Sequence, residues 1–369
     1  MYTDRQNKVI SHLSKQGLDG LVLNAGPSLT YFSGLHFHLM ERPVVFILSP
    51  GNSPLIILPE LEKAKLDQCR FTIDAITYPD NPDQWPAAFR KSSAHLHLDG
   101  KRFGTEPGQL RLLEYTHLLK AADSLTLESA DTAISRCRAI KDADEIARME
   151  QAVAIAQDSL KETLAVIKQG TTEQEIAAEL VIQLFRHGSD PSLPFPPIVS
   201  SGPNGANPHA RPSQRPLQEG DLLIIDWGAA WQDYTSDLTR TFAVGSVSDE
   251  ARHIHSLVHR ANEAGRKAAA PGVACREVDR AARTVITEGG YGEAFSHRTG
   301  HGLGMACHEE PYLHDASTQV LEPGMTFTVE PGIYLNGKYG VRIEDDVVIT
   351  ANGNRSLSDF PRDLMFIPD

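Results

Sequence analysis

The sequence has few cysteines and no long apolar run. Its four cysteines are spread over 369 residues with no CxxC pair, which excludes a disulfide framework and predicts the reduced thiols of a cytoplasmic protein. The first apolar stretch, 21–23, is too short for a signal segment or a membrane span. We therefore expect a cytoplasmic protein with no membrane partner. The cysteines are Cys69, Cys137, Cys275 and Cys307.

Basic residues are also scarce relative to acidic ones. The chain has 35 Lys and Arg against 48 Asp and Glu, a net charge of −13 at pH 7. Nucleic acid and anionic membranes repel such a chain, so neither is an expected partner. The excess of carboxylates raises the question of whether some of them bind cations.

The length favours two domains. The sequence pattern changes from Lys141 onward, and we place the boundary between Ser129 and Lys141. Residues 1–130 alternate helix-like and strand-like runs, which predicts a smaller α/β domain with a mixed sheet. Within it we expect a strand at 95–98 and a helix at 107–120. Residues 131–369 combine amphipathic helices with strand pairs, which predicts an α+β domain. Asp142 and Glu145 resemble a capping box at its first helix.

Four acids occupy strand positions that a β pattern would bury. Asp226 ends the apolar run LLII and Asp237 lies on the partner strand, while Glu330 and Glu344 occupy a second strand pair. A buried charge is costly unless it is paired or binds a metal. Four unpaired carboxylates in one site would repel one another, and two divalent ions would offset their charge.

Ordinary ion pairing is the competing interpretation, because Arg240 lies near Asp237 and Arg342 near Glu344. Between the two strand pairs lies SHRTGHGLGMACHEEP, at 296–311, whose glycines argue against a helix despite helix-like histidine spacing. A histidine from this run would complete a metal shell. The combined pattern favours a dinuclear, oxygen-rich site of the Mn, Co or Zn type. Cys307, within the same run, is interpreted as a small packing residue.

Five motifs in order, IDWGAAW, TSDLTRTF, HRTGHGLG, TVEPGIY and RIED, resemble those of the pita-bread metallopeptidases. This group includes methionine aminopeptidase, Xaa-Pro aminopeptidase and Xaa-Pro dipeptidase (prolidase). The runs LDGLVLN and TYFSGL resemble the domain that precedes the catalytic one in the two Xaa-Pro enzymes. The resemblance implies a pita-bread (creatinase/aminopeptidase-like) catalytic domain at 131–369 and a creatinase/prolidase-like N-terminal domain at 1–130.

The resemblance also implies five ligands for two divalent ions, with Mn²⁺ expected and Co²⁺ or Zn²⁺ as alternatives. Asp226 would bind one ion, His301 and Glu330 the other, and Asp237 and Glu344 would bridge them. Glu330 would also relay the proton of the attacking water.

Further residues are expected on the substrate side. By resemblance, His209 faces the tetrahedral intermediate, His308 the leaving group and His297 the proline pocket, and Arg342 lies beside Glu344. The run PSLPFPPI suggests Phe195 as an apolar wall of that pocket. The expected catalytic residues are His209, His308 and Glu330, and the expected substrate-binding residues are His297, Arg342, His209 and Phe195.

These residues predict hydrolysis of the peptide bond that precedes proline, in a dipeptide or a short peptide, by an enzyme that forms a homodimer. An Xaa-Pro dipeptidase is expected. The alternatives are an Xaa-Pro aminopeptidase acting on longer peptides, a creatinase-like hydrolase of small metabolites, and a binding module on the same fold. The loop at 34–43 is either solvated or reaches the active site of a neighbouring subunit.

Overall fold

The computed structural model describes residues 1–367, and the chain divides between Arg138 and Ala139 into two compact units. The first unit alternates helices and strands, as its sequence predicts. In chain order its elements are α1 (Tyr2–Lys15), β1 (Gly20–Asn24), α2 (Pro27–Ser33), β2 (Val45–Leu48), β3 (Leu55–Pro59), β4 (Asp74–Tyr78), α3 (Trp85–Leu96), β5 (Arg102–Thr105), α4 (Leu112–Ala121), β6 (Thr126–Ser129) and α5 (Asp131–Arg138).

The six strands form one mixed sheet in the order β4-β3-β2-β1-β5-β6. Strands β1 and β2, and β2 and β3, are antiparallel, while the remaining pairs are parallel. Phe89 of α3 and Leu118 of α4 pack with Val22 and Phe103 of the sheet in one apolar core. The predicted α/β domain with a mixed sheet is confirmed.

Two local predictions in this unit differ from the structure. The strand expected at 95–98 is instead the end of α3, which closes at His97 in the left-handed conformation with φ 53°. The helix expected from residue 107 begins at Leu112, because the chain first forms a turn in which Leu110 N donates to Glu106 O. The two units divide after α5, which packs against α1, and this point lies within the interval from Ser129 to Lys141 in which the sequence places the boundary.

The second unit contains two helix pairs, each followed by strands. The capping box is confirmed, since Glu145 N donates to Asp142 Oδ1 at 2.9 Å and Asp142 N to Glu145 Oε2 at 2.8 Å. In chain order the elements are α6 (Ala143–Leu164), α7 (Glu173–Arg186), β7 (Ile198–Ser201), β8 (Leu222–Trp227), β9 (Ala230–Trp231), β10 (Tyr234–Thr235), β11 (Leu238–Val244), α8 (Asp249–Ala268), α9 (Cys275–Glu288), β12 (Gly300–Gly302), β13 (Glu309–Leu313), β14 (Thr326–Val329), β15 (Gly332–Leu335), β16 (Tyr339–Arg342), β17 (Asp345–Thr350), β18 (Gly353–Ser356) and β19 (Met365–Ile367).

Two sheets carry the strands that hold the site. One has the order β19-β11-β8-β7 and packs against α6 and α7, and the other has the order β13-β12-β14-β17-β18. The predicted pairing of β8 with β11 is antiparallel. The second predicted pair is split, because β14 pairs with β17 while β15 and β16 form a separate ribbon. The sheets meet where Glu344 N donates to Thr239 O at 3.1 Å.

Within residues 1–367, no helix combines the length and apolarity that a membrane crossing requires.

Candidate active site

The four predicted acids converge where the two sheets meet. Asp226 lies on β8, Asp237 just before β11, Glu330 between β14 and β15, and Glu344 between β16 and β17. Ligand atoms of Asp226, Asp237 and Glu344 lie within 4.8 Å of one another, as do those of His301, Glu330 and Glu344. The structure therefore brings together all five predicted ligands, from separate segments of the chain.

The protein leaves this negative charge largely uncompensated. Burial is the largest cause that raises the pKa of each of the four carboxyl groups, and repulsion from neighbouring acids adds to it at Asp237, Glu330 and Glu344. Burial raises the pKa of Glu330 from 4.5 to about 7. Asp226 Oδ1 is buried without a hydrogen-bond partner among the described residues. Several carboxylates that lie close together, one of them with an unsatisfied oxygen, provide the oxygen ligands that divalent cations bind.

The His301 imidazole is held in its neutral form. Its Nδ1 lies 3.2 Å from Gly302 O, so a proton on Nδ1 leaves the lone pair of Nε2 free. Nε2 lies 3.3 Å from Glu330 Oε1 and 3.6 Å from Asp237 Oδ2. Burial, followed by the neighbouring His308, lowers the pKa of His301 to about 3. The ring therefore stays unprotonated at neutral pH and points at the acids.

The glycines flanking His301 are explained by the strand that carries it. A Cβ on Gly300 would lie 1.9 Å from Thr328 O, and one on Gly302 would lie 2.3 Å from Glu310 O. β12 passes this closely between β13 and β14, and only glycine fits there. The histidine-rich run is a tight strand, which is why its helix-like spacing misleads.

Threonines orient two of the acids. Thr239 Oγ1 donates to Glu344 Oε2 at 2.6 Å, and Thr328 Oγ1 donates to Glu330 Oε1 at 3.2 Å. Neither threonine is among the site residues predicted from the sequence. A detectable signal exists, because Thr328 precedes Glu330 by two positions and therefore shares its strand face.

Cys307 has a role beyond packing, which corrects the interpretation made from the sequence. Its Sγ donates to Asp237 Oδ2 at 3.2 Å. Burial, followed by the charge of Asp237, raises the pKa of the thiol well above its usual value. A protonated thiol thus supports one of the proposed bridging carboxylates.

The arginines do not pair as the competing interpretation requires. Arg240 Nη2 binds Asp345 Oδ1 at 2.8 Å, not Asp237. Arg342 Nη2 binds Asp226 Oδ2 at 2.6 Å, so its carboxylate partner is not the neighbouring Glu344. Among the described residues, Arg342 is the arginine that binds one of the four acids directly, so the carboxylates outnumber the cations in contact with them.

Arg342 also donates hydrogen bonds to two hydroxyl groups. Its Nε donates to Thr239 Oγ1 at 3.1 Å, and its Nη1 donates to the Tyr334 hydroxyl at 2.8 Å. His297 Nε2 lies 3.0 Å from the same hydroxyl. Tyr334, another residue that the sequence analysis missed, therefore links Arg342 to His297.

The other predicted substrate-side histidines surround this cluster. The His308 ring lies 3.9 Å from that of His301 between centroids, and His308 is exposed. An imidazole nitrogen of His308 also lies within 4.8 Å of ligand atoms of Asp237 and His301. His209 is exposed, and its charge is among those that lower the pKa of Asp226.

Phe195 lies in the segment before β7 and is half-buried. A Cβ on Gly228 would lie 2.8 Å from Cγ of Pro194, the residue before Phe195. The segment that carries Phe195 therefore contacts the chain two residues after Asp226. The placement of Phe195 as a pocket wall stays a prediction.

Two linked sheets bring four carboxylates, three of them buried and that of Glu330 half-buried, next to a neutral imidazole, which is the kind of site that metal-dependent hydrolases use. Comparison with known proteins identifies the family. Residues 147–351 match the model described as metallopeptidase family M24, and residues 5–140 match the creatinase/prolidase N-terminal domain. The chain belongs to metallopeptidase family M24, with the two-domain architecture of the pita-bread enzymes.

The similarity to individual relatives extends over nearly the whole chain. A protein of Mycobacterium tuberculosis named "Probable dipeptidase PepE" is 33% identical, over 100% of this chain and 97% of its own. The "Xaa-Pro dipeptidase" of Lactobacillus helveticus is 33% identical, over 92% and 93%. The crystal structure of a prolidase from Thermococcus sibiricus has a TM-score of 0.92 at 34% identity, and 99% of each chain is covered.

Proposed function

We propose that this chain is a divalent-metal-dependent Xaa-Pro dipeptidase, which hydrolyses the bond before proline in dipeptides. The observation that carries the proposal is the convergence of five ligand side chains with uncompensated negative charge. The nearly full-length similarity to a protein named Xaa-Pro dipeptidase supports the substrate class. A binding module on this fold would not need to keep a complete and costly cluster of buried acids.

The proposed division of the ligands between two ions is the one that the family resemblance implies. Asp226 would hold one ion, His301 and Glu330 the other, and Asp237 and Glu344 both. Ions bound there supply Lewis-acid activation of water and of the scissile carbonyl.

The residues of the chain itself would move the proton and stabilise charge. Glu330 lies among the ligands and takes the water proton for delivery to the leaving amine. His209 and His308 donate to the developing oxyanion and orient the scissile amide. His297 and Phe195 line the proline side.

Arg342 is proposed to act on the substrate through its neighbours. It holds Asp226 directly and the Tyr334 hydroxyl beside His297. It would therefore shape the proline pocket as a positioning residue.

Three finer features belong to the same proposal. Mn²⁺ is favoured as the metal because carboxylate oxygens outnumber nitrogen ligands, with Co²⁺ or Zn²⁺ as alternatives. The family resemblance supports a homodimer. The free thiols and acidic charge support a cytoplasmic enzyme.

The proposal is tested by assaying one Xaa-Pro dipeptide and one longer Xaa-Pro peptide side by side with Mn²⁺. We expect a higher kcat/KM for the dipeptide and loss of activity on chelation. A preference for the longer peptide would make the enzyme an aminopeptidase. Hydrolysis of a small metabolite that survives thorough chelation would instead favour the creatinase-like alternative.

A further inference from the structure

Asp279 and Arg283 form an ion pair on α9, outside the cluster of acids. Arg283 Nε donates to Asp279 Oδ2 and Arg283 Nη2 donates to Asp279 Oδ1, both at 2.9 Å. Asp279 is buried and Arg283 is half-buried. Two parallel hydrogen bonds of this kind fix the plane of a guanidinium, so α9 holds the Arg283 side chain in one orientation.

The other contacts of Arg283 are with the segment that ends at His297. Its Nη1 donates to Phe295 O at 3.0 Å, and its Nη2 also donates to His297 O at 2.8 Å. Its guanidinium carbon lies 4.2 Å from the ring centroid of Phe295, a distance typical of a cation–π contact. One arginine therefore fixes two main-chain carbonyls and one aromatic ring beside His297.

Asp279 holds the chain on the other side of His297. Thr299 donates to Asp279 Oδ1 with its N–H at 3.1 Å and with its hydroxyl at 2.8 Å. Thr299 O in turn accepts from Glu330 N at 2.8 Å. The ion pair thus ties the segments before and after His297 to the same helix.

The imidazole of His297 has a partner for each of its nitrogens. Nδ1 lies 2.8 Å from Arg298 O, which can only accept, so Nδ1 carries the proton. Nε2 lies 3.0 Å from the Tyr334 hydroxyl, which accepts from Arg342 and therefore gives its own proton to Nε2. The ring is neutral, in agreement with burial as the largest cause that lowers the pKa of His297 to about 4.

A ring with both nitrogens bonded offers a substrate its face. Proline has no N–H for such a ring to bind, and its pyrrolidine ring suits packing on an imidazole face. Packing of this kind weakens steeply as a gap opens, so the orientation of His297 matters. The Phe295 ring meets the His297 ring edge to face, with centroids 5.1 Å apart, and Arg283 supports the Phe295 ring.

We propose that Arg283, held by Asp279, is a positioning residue that fixes the face of the His297 imidazole against the proline ring of the substrate. This inference rests on the proposed Xaa-Pro dipeptidase function and adds to it a residue that acts through His297 without touching the substrate.

The test measures KM and kcat for Ala-Pro, with Mn²⁺, in wild type and Arg283→Met. A residue that only orients a binding contact should change KM and leave kcat nearly constant. We expect KM to rise about 10-fold and kcat to change less than about 3-fold, since small misplacements of a contact have effects of this order. Calorimetry gives a second readout, because binding of L-proline should weaken by a similar factor. Arg283→Lys keeps the charge and should show a smaller rise in KM.

A double-mutant cycle with His297→Ala tests whether Arg283 acts through His297. Residues that act through one another have non-additive effects, so Arg283→Met should change KM by less than about 2-fold once the imidazole is absent. Full and independent effects of the two substitutions would overturn the inference.

Arg280→Met is the matched control, because Arg280 is an exposed arginine on α9 that pairs with Glu277 at 2.8 Å. It should leave KM unchanged. Loss of Mn²⁺ from folded Arg283→Met, or a fall in kcat at constant KM, would show that the ion pair supports the metal cluster instead and would overturn the inference. An unchanged KM also overturns it, while hydrolysis of Ala-Pro leaves the proposed function standing. Absence of that hydrolysis in the wild type overturns the proposed function itself. If Arg283→Met does not fold, Arg283→Lys in the same cycle decides the question.

Discussion

Glu344 and Asp345 are adjacent in the chain and almost equally buried, yet their carboxylates have opposite electrostatic environments. Burial, followed by the charge of Asp237, raises the pKa of Glu344 well above its usual value. Burial would raise the pKa of Asp345 too, but Arg240 and Arg362 outweigh it and hold that pKa below its usual range. The two side chains lie in different clusters because neighbouring strand residues point to opposite faces.

The Asp345 cluster is complete within the protein. Arg240 Nη2 lies 2.8 Å from Asp345 Oδ1, Arg362 Nε lies 2.7 Å from Asp345 Oδ2, and Ser358 Oγ donates at 2.7 Å. The cluster around Glu344 has four acids and one close arginine. Buried carboxylates that have protein cations stabilise the fold, whereas those without them form a site for cations from solution.

The largest expected effect comes from removing a carboxylate of the metal cluster. Asp237→Asn should abolish binding of at least one ion and lower kcat/KM by more than about 100-fold, the upper range for residues that only support ligands. Metal content by mass spectrometry and kinetics on Ala-Pro measure this. Full metal stoichiometry together with full activity would refute the cluster as a metal site.

Removal of Asp345 should affect stability instead of metal binding. Asp345→Asn leaves Arg240 buried without its charge partner, which costs about 3–5 kcal/mol in the free energy of unfolding. Urea unfolding of the metal-loaded protein measures it. Glu277→Gln, in an exposed ion pair, is the control and should change the free energy by less than about 1 kcal/mol. Loss of metal from folded Asp345→Asn would contradict the division into a structural cluster around Asp345 and a metal cluster around Glu344.

The metal cluster should also set an unusual pH dependence of stability. The pKa of Glu330 is raised from 4.5 to about 7, so its stabilising contribution is complete below 4.5 and is lost as the pH rises through 7. In the presence of a chelator, the free energy of unfolding of the wild type should fall by about 1–3 kcal/mol relative to that of Glu330→Gln as the pH rises through this range. One pKa unit corresponds to about 1.4 kcal/mol.

Urea unfolding of both proteins from pH 4.5 to 7.5 measures this difference. Saturating Mn²⁺ should remove the trend in the wild type, because a cation favours the charged carboxylate. Parallel curves for the two metal-free proteins would contradict the raised pKa.

The smallest expected effect concerns the thiol beside Asp237. Cys307→Val removes the donor at 3.2 Å and should weaken metal binding about 10-fold, the lower range for a residue that supports a ligand. Cys307→Ser keeps a donor and should weaken it less. Competition with a fluorescent chelator measures both, with Cys69→Ser as the control. Equal affinity in wild type and Cys307→Val would reduce Cys307 to a packing residue.

Much of the fold was predictable because its signals are local. The capping box at Asp142 and Glu145 and the antiparallel pairing of β8 with β11 follow from spacing and alternation. The strand expected at 95–98 was wrong because a short apolar alternation also fits the end of a helix. The boundary lies at Arg138 because α5 packs on α1, a contact that composition does not reveal.

The sequence by itself determined which side chains are unusual: four acids in apolar strands and a histidine among glycines, each recognisable because burial makes a lone charge costly. Only the tertiary structure decided the pairing of these groups. It assigned Arg240 to Asp345 and Arg342 to Asp226, and it brought Cys307 to Asp237. Such pairings depend on the register of the strands and on where the two sheets meet. The spacing of residues along the chain does not reveal either.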